Sequence, residues 1–231
     1  MLLLSLDTSI RGCSVAVHAD SVLLANYDLY TDRSSSAMLT TLMKSAVEHA
    51  GYKLSDLDAI AVAKGPGSYT GLRVGVSTAK GLCYALDKPL IAVNTLEAMS
   101  LQVIPFFPKG TLFCPMIDAR RMEVYASVFN SEYEIVQKTE AIIMDEKSFT
   151  DLLKDHKIVF FGDGAAKCQV LLLENPNAIF LGEEIRPSAK TVGKLAAKSF
   201  EENNFENLAS FEPFYLKDFM TPPSRKAALI V

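Results

Sequence analysis

Short apolar runs alternate along this chain with longer segments in which apolar residues recur every three or four positions. Leu2–Asp7 is apolar except at Ser5 and its closing Asp7, the pattern of a buried first strand. Gly12–His18 and Val22–Tyr30 complete a predicted three-strand meander. In Ser36–Ala50 the apolar positions Met38, Leu39, Leu42, Met43, Ala46, Val47 and Ala50 keep a helical period. They cover about half of the helix circumference, wider than one sheet-facing stripe. Strand Ala59–Ala63, helix Tyr69–Leu86, strand Leu90–Val93 and a helix from Thr95 to before Pro105 follow.

Pro105-Phe106-Phe107-Pro108-Lys109 breaks the pattern and is the candidate boundary between residues 1–104 and 105–231. Beyond it the order repeats. Strands are predicted at Leu112–Asp118, Glu123–Phe129 and Ile135–Ile143, then helix Glu146–Asp155, strand Ile158–Phe161, helix Gly164–Leu173, strand Ala178–Leu181 and helix Ala189–Glu202. A meander feeding β-α-β crossovers, used twice, predicts a duplicated α/β fold whose two lobes each carry a mixed sheet flanked by helices. It resembles the actin-like (ASKHA, ribonuclease H-like) fold of actin, sugar kinases and Hsp70, whose members hold ATP between the lobes. The last helix is expected to pack back on the first lobe, followed by a mobile basic tail from about residue 220.

The helix at Tyr69 is entered through Gly65-Pro66-Gly67-Ser68-Tyr69-Thr70-Gly71-Leu72-Arg73-Val74-Gly75. A glycine-rich strand-to-helix turn suggests phosphate binding at a helix N-terminus. However, a P-loop needs Lys then Ser/Thr after its last glycine, and a dinucleotide fingerprint needs glycine at Thr70. A Gly-x-Ser-x-Gly elbow is absent too. Past the turn, Leu72, Val76, Ala79, Cys83 and Leu86 form a sheet-facing stripe. Gly71, Gly75, Thr78, Leu82 and Ala85 form a second stripe of mostly small side chains that would let another helix approach.

This turn, with Leu4-Ser5-Leu6-Asp7-Thr8-Ser9 and Ile117-Asp118-Ala119-Arg120, resembles the TsaB (YeaZ) family over most of the chain, most densely before residue 130. The resemblance implies a subunit of the bacterial apparatus that makes threonylcarbamoyladenosine beside the tRNA anticodon. Such a subunit binds and activates the transferase TsaD, helps recruit the ATPase TsaE, self-associates and meets tRNA through the complex. TsaD has a metal-binding histidine pair on its first long helix. Here that stretch reads Arg33-Ser34-Ser35-Ser36, and serine does not replace an imidazole ligand. The chain is therefore expected to carry no catalytic residues and no metal, and to need no cofactor of its own. Glu212-Pro213-Phe214-Tyr215-Leu216-Lys217 resembles a family signature ending in arginine, and Lys217 lacks the planar fork for a bidentate contact.

Several residues carry two readings. The candidate partner interface is Met38, Leu42 and Ser45 with Gly71, Gly75, Thr78 and Leu82. Either these helices pack only on each other, or they meet an equivalent pair in a four-helix bundle. Asp7, Thr8 and Ser9 form either a strand-ending turn that bonds itself or a phosphate-side turn for ATP or ADP. Gly162-Asp163-Gly164 is either an adenosine-side turn or a helix cap. Asp118 with Arg120 is an active-site pair or a structural one.

Composition narrows the rest. The 231 residues are 49% hydrophobic, with net charge −4, which is poor for gripping RNA unaided. No run spans a bilayer, and four scattered cysteines (Cys13, Cys83, Cys114, Cys168) fit a reduced, cytoplasmic protein. Lys64, Arg73, Lys80 and Lys88, opposed only by Asp87, are a solvated face or a steering patch for an acidic partner. His18, His49 and His156 are dispersed and no His-Glu-x-x-His occurs, so a peptidase is the weaker alternative to a stand-alone small-molecule kinase.

Overall fold

The computed structural model describes residues 1–31, 35–182 and 185–217. In chain order the strands are β1 (Leu2–Asp7), β2 (Cys13–Ala19), β3 (Val22–Leu29), β4 (Ala59–Gly65) and β5 (Leu90–Asn94), then β6 (Leu112–Asp118), β7 (Glu123–Phe129), β8 (Ile135–Ile143), β9 (Ile158–Phe161) and β10 (Ala178–Phe180). The helices are α1 (Ser35–His49), α2 (Tyr69–Leu86), α3 (Thr95–Ser100), α4 (Thr150–Asp155), α5 (Ala165–Leu172) and α6 (Ala189–Glu201).

The strands make two five-stranded sheets, ordered β3-β2-β1-β4-β5 and β8-β7-β6-β9-β10. In each, a meander is antiparallel and its first strand pairs in parallel with the fourth. The topology is thus one unit used twice, and the fold is actin-like, with two lobes of mixed sheet and flanking helices.

Both faces of β1 are buried, which explains its continuous apolar run. Leu2, Leu4 and Leu6 join Val15, Val17, Met43, Val76 and Cys83 in a core under α1 and α2. On the opposite face Leu3 joins Ala61, Ile91, Val192 and Ala196, so α6, although last in the chain, covers the inner face of the first sheet. In exchange, Leu96 and Met99 of α3 pack with Phe113, Phe129 and Phe161 of the second sheet. Gly193 lets α6 come this close, because a β-carbon there would overlap His18 and Ser5.

One boundary differs from the sequence pattern. The helix expected from Glu146 begins at Thr150. Asp145 Oδ1 accepts from Lys147 N at 2.9 Å and from Ser148 Oγ, closing a local turn that competes with helix. The contrast at Ser34 and the basic tail from about 220 lie outside the described residues.

Candidate functional site

The glycine-rich turn after β4 wraps the end of β1. Ser68 N donates to Ser9 O at 2.6 Å, and Thr8 Oγ1 donates to Gly71 O at 2.7 Å. Ser68 also caps α2, its Oγ accepting from Gly71 N at 3.3 Å. A β-carbon on Gly67 would overlap Ser9 O, one on Gly71 Thr8 O, and one on Gly75 Thr8 Oγ1. This corrects the partner-facing role expected for Gly71 and Gly75. Their missing side chains make room for Thr8 of the same chain, and Gly75 is buried. A sequence shows that a helix stripe is small but not which neighbour fills the space.

Asp7 ends β1 as an aspartate that bonds its own turn: Oδ1 accepts from Ser9 N at 2.9 Å and from Ser9 Oγ at 2.6 Å. Its other oxygen, Oδ2, is buried with no hydrogen-bond partner among the described residues. Burial raises the Asp7 carboxyl pKa to about 6 against the pull of the Ser9 hydrogen bonds, with the Asp28 charge adding to the rise.

The second lobe repeats the clasp at β6. Gly164 N donates to Met116 O at 3.1 Å, and Asp118 N donates to Asp163 Oδ1 at 2.9 Å. Gly162 has φ +99°, and a β-carbon on it or on Gly164 would press into Met116 O or the Ile117 backbone. Gly164 occupies the N-cap of α5, with no side-chain cap. Asp118 pairs with Lys167 and accepts from Arg120 N at 2.8 Å; it does not pair with the Arg120 guanidinium. Burial raises its pKa, but Lys167 and the Arg120 backbone outweigh this and hold it below the ordinary value.

Two further features escaped the sequence. Arg120 and Arg121, in the β6–β7 turn, both have positive φ, at 70° and 52°. Their neighbours include no glycine or asparagine, the usual signal for such a turn. The C-terminal segment also straps the lobes together. Glu206 N donates to Leu90 O at 2.9 Å, Lys80 Nζ to Phe211 O at 2.9 Å and Phe214 N to Lys64 O at 2.7 Å. The Tyr215 ring stacks on Tyr69 at 4.5 Å between centroids. Lys217 then donates to Ala119 O at 3.3 Å and pairs with one oxygen of Glu123, a point contact in place of a fork.

On the outer crease between α1 and α2, Met38 is exposed, while Leu42, Ser45, Thr78 and Leu82 are half-buried. Leu42 and Leu82 pack only at the margin of the first core. The histidines occupy separate settings. His18 lies under α6 with Nδ1 unpartnered among the described residues, His49 meets Tyr27 Oη at 2.5 Å, and His156 caps α4. Among the described residues, no group of three His, Cys, Asp or Glu side chains is arranged to hold a metal ion, and no helix is long and apolar enough to cross a membrane.

A family model described as "TsaD: tRNA N6-adenosine threonylcarbamoyltransferase" matches residues 29–231. The chain is similar to the tRNA threonylcarbamoyladenosine biosynthesis protein TsaB of Escherichia coli, at 28% identity over 94% of this chain and 95% of the relative. It is 32% identical to the Bacillus subtilis protein of the same name, over 70% of this chain and 71% of that one. A solved structure, YeaZ from Pseudomonas aeruginosa, superposes with a TM-score of 0.77 at 23% identity, covering 93% of this chain and 99% of that one, a likeness of fold. Sequence matches of this length place the chain in the TsaB (YeaZ) family.

Proposed function

We propose that the chain is the non-catalytic activating subunit of the bacterial apparatus that forms threonylcarbamoyladenosine next to the tRNA anticodon. The carrying observation is the near full-length match to proteins named for that biosynthesis. It acts in the cytoplasm, binding the transferase TsaD and helping to recruit TsaE, and it reaches tRNA through the complex. The match of residues 29–231 to the transferase's own family model supports a pairing of sibling folds. The docking surface is the α1–α2 crease, with Met38, Leu42, Ser45, Thr78 and Leu82; a homodimer would use the same surface. Exposed or half-buried apolar side chains on two helices in contact, Met38 and Leu42 of α1 and Leu82 of α2, suit a four-helix contact.

ATP or ADP at the lobe or subunit interface would lie against the turns Asp7-Thr8-Ser9 and Gly162-Asp163-Gly164, where these ends of β1 and β9 leave the sheets. The unpartnered Asp7 Oδ2 favours a second reading, a stand-alone kinase, and ATP consumption by the purified chain alone tests it. The main reading is tested by reconstitution with tRNA, threonine, bicarbonate, ATP and the other subunits. Modification should disappear when this chain is omitted, and a complete reaction without it overturns the assignment.

A further inference from the structure

The β6–β7 turn holds two arginines in the left-handed region, where an L-residue is disfavoured. The equivalent turn of the first lobe, between β1 and β2, uses Gly12 at φ +113°. Strain of this kind persists only where surrounding contacts hold it. Here the contacts are two lysines. Lys167 Nζ donates to Arg121 O and Glu123 O, each at 2.7 Å, and pairs with Asp118. From the other side Lys217 Nζ donates to Ala119 O and pairs with Glu123. The lysines take both carboxylates of the turn. Neither the Arg120 nor the Arg121 guanidinium pairs with a carboxylate among the described residues, and both arginines are exposed.

Beside this turn a shallow open cleft lies between the lobes, lined by Gly67, Tyr69, Tyr125, Phe214, Tyr215 and Lys217, among others. Its enclosed space is only about 20 Å3, room for about one water molecule, so it suits a group laid along its rim and not one enclosed in it. Lys217 Nζ lies 6.0 Å from the Tyr125 ring centre. Lys217 lines the cleft and donates to Ala119 O at 3.3 Å, which joins the cleft to the arginine turn. Burial raises the Tyr125 hydroxyl pKa, and the charges of Lys217 and Arg120 draw it back. Exposed guanidiniums on a backbone held in place, beside partly exposed aromatic rings, match the two recurring contacts of single-stranded nucleic acid: phosphate to cation and base to ring. An acidic protein face would use the arginines but leave the rings without a role.

We propose that the Arg120–Arg121 turn and the tyrosine-lined cleft beside it form a binding surface for an unpaired RNA strand. Its phosphodiesters meet the two arginines and a base stacks at the ring-lined rim. The proposal rests on the tRNA-modification reading and adds a direct RNA contact to it. The overall charge of −4 does not forbid this, because salt screens charges more than about 8–10 Å apart.

The test is fluorescence anisotropy of a labelled 12-nucleotide single-stranded RNA, titrated with the full-length chain over a range of KCl. The decisive variant is Arg120→Gly/Arg121→Gly, since glycine is the residue that these φ values favour and the turn keeps its shape. Each phosphate contact on a single strand contributes about 0.7 to the slope of log K against log salt, so the variant should lose about 1.4 from that slope. An abasic strand of equal length should bind the wild-type chain about fivefold or more weaker, for want of stacking. Equal slopes for the two proteins, or equal affinity for the abasic strand, overturn the proposal. So does a variant that keeps RNA but loses TsaD in a pull-down, which would make the turn a protein contact. The assay omits the other subunits, so its failure is separate from a failed reconstitution.

Discussion

Thr8 fills the space that Gly75 leaves open: its Oγ1 sits where a β-carbon of residue 75 would be, while donating to Gly71 O at 2.7 Å. The contact locks the end of β1 onto the first two turns of α2. Gly75→Leu should therefore destabilise the fold, by about 3 kcal/mol or more, as overpacked helix–turn contacts do. Urea unfolding measures it. In a double-mutant cycle, Thr8→Ala should restore part of the loss from Gly75→Ala, and additive costs would show that the two residues do not share the space.

Leu42 sits at the margin of the first core, so Leu42→Asp separates docking from folding. The expected cost in folding is about 1 kcal/mol, as for a half-buried apolar side chain. Pull-down with TsaD should fall at least tenfold. Unchanged capture would move the interface away from the α1–α2 crease.

Asp7 makes stability fall as pH rises. Its carboxyl titrates near 6 in the folded chain against an ordinary value of 3.8. Between these values the folded state binds more protons than the unfolded one. Stability is thus greatest below about pH 4 for this group and declines up to about pH 6, by about 3 kcal/mol in all. Asp7→Asn should remove this slope. Urea midpoints from pH 4 to 7.5 for both proteins decide it, and parallel curves would sink the argument.

The Lys217–Glu123 contact is partly exposed, with 36% and 21% of the two side chains accessible, so its energy is discounted for solvent. Lys217→Met should cost about 1 kcal/mol and speed amide hydrogen exchange around Ala119–Glu123. Lys217→Arg should restore protection. If exchange there is the same in Lys217→Met and wild type, the strap does not brace the turn.

Most of the architecture was legible because burial dictates it. Leu2–Leu6 and Ile158–Phe161 are apolar runs because both faces are covered, and the repeated order of strands and helices exposed the duplication. The stripe Leu72, Val76, Ala79 and Cys83 was likewise found facing the sheet. What stayed hidden depends on contacts between distant residues. The glycines at 71 and 75 read as an outer seam, because their neighbour Thr8 is more than sixty residues away. Lys217 gave no hint of Glu123 or Ala119, and Arg120-Arg121 carries no turn signal of its own. At α4, the residues Glu146-Lys147-Ser148 suit a helix, but the Asp145 side chain captures their backbone first.

The placement of α6 has a consequence for how the chain matures on the ribosome. Residues 1–94 supply every strand of the first sheet, but Leu3, Ala61 and Ile91 stay bare until Val192 and Ala196 emerge. The earliest-made half must wait for almost the whole polypeptide, and a nascent chain released before Ala189 offers chaperones and proteases an uncovered greasy face.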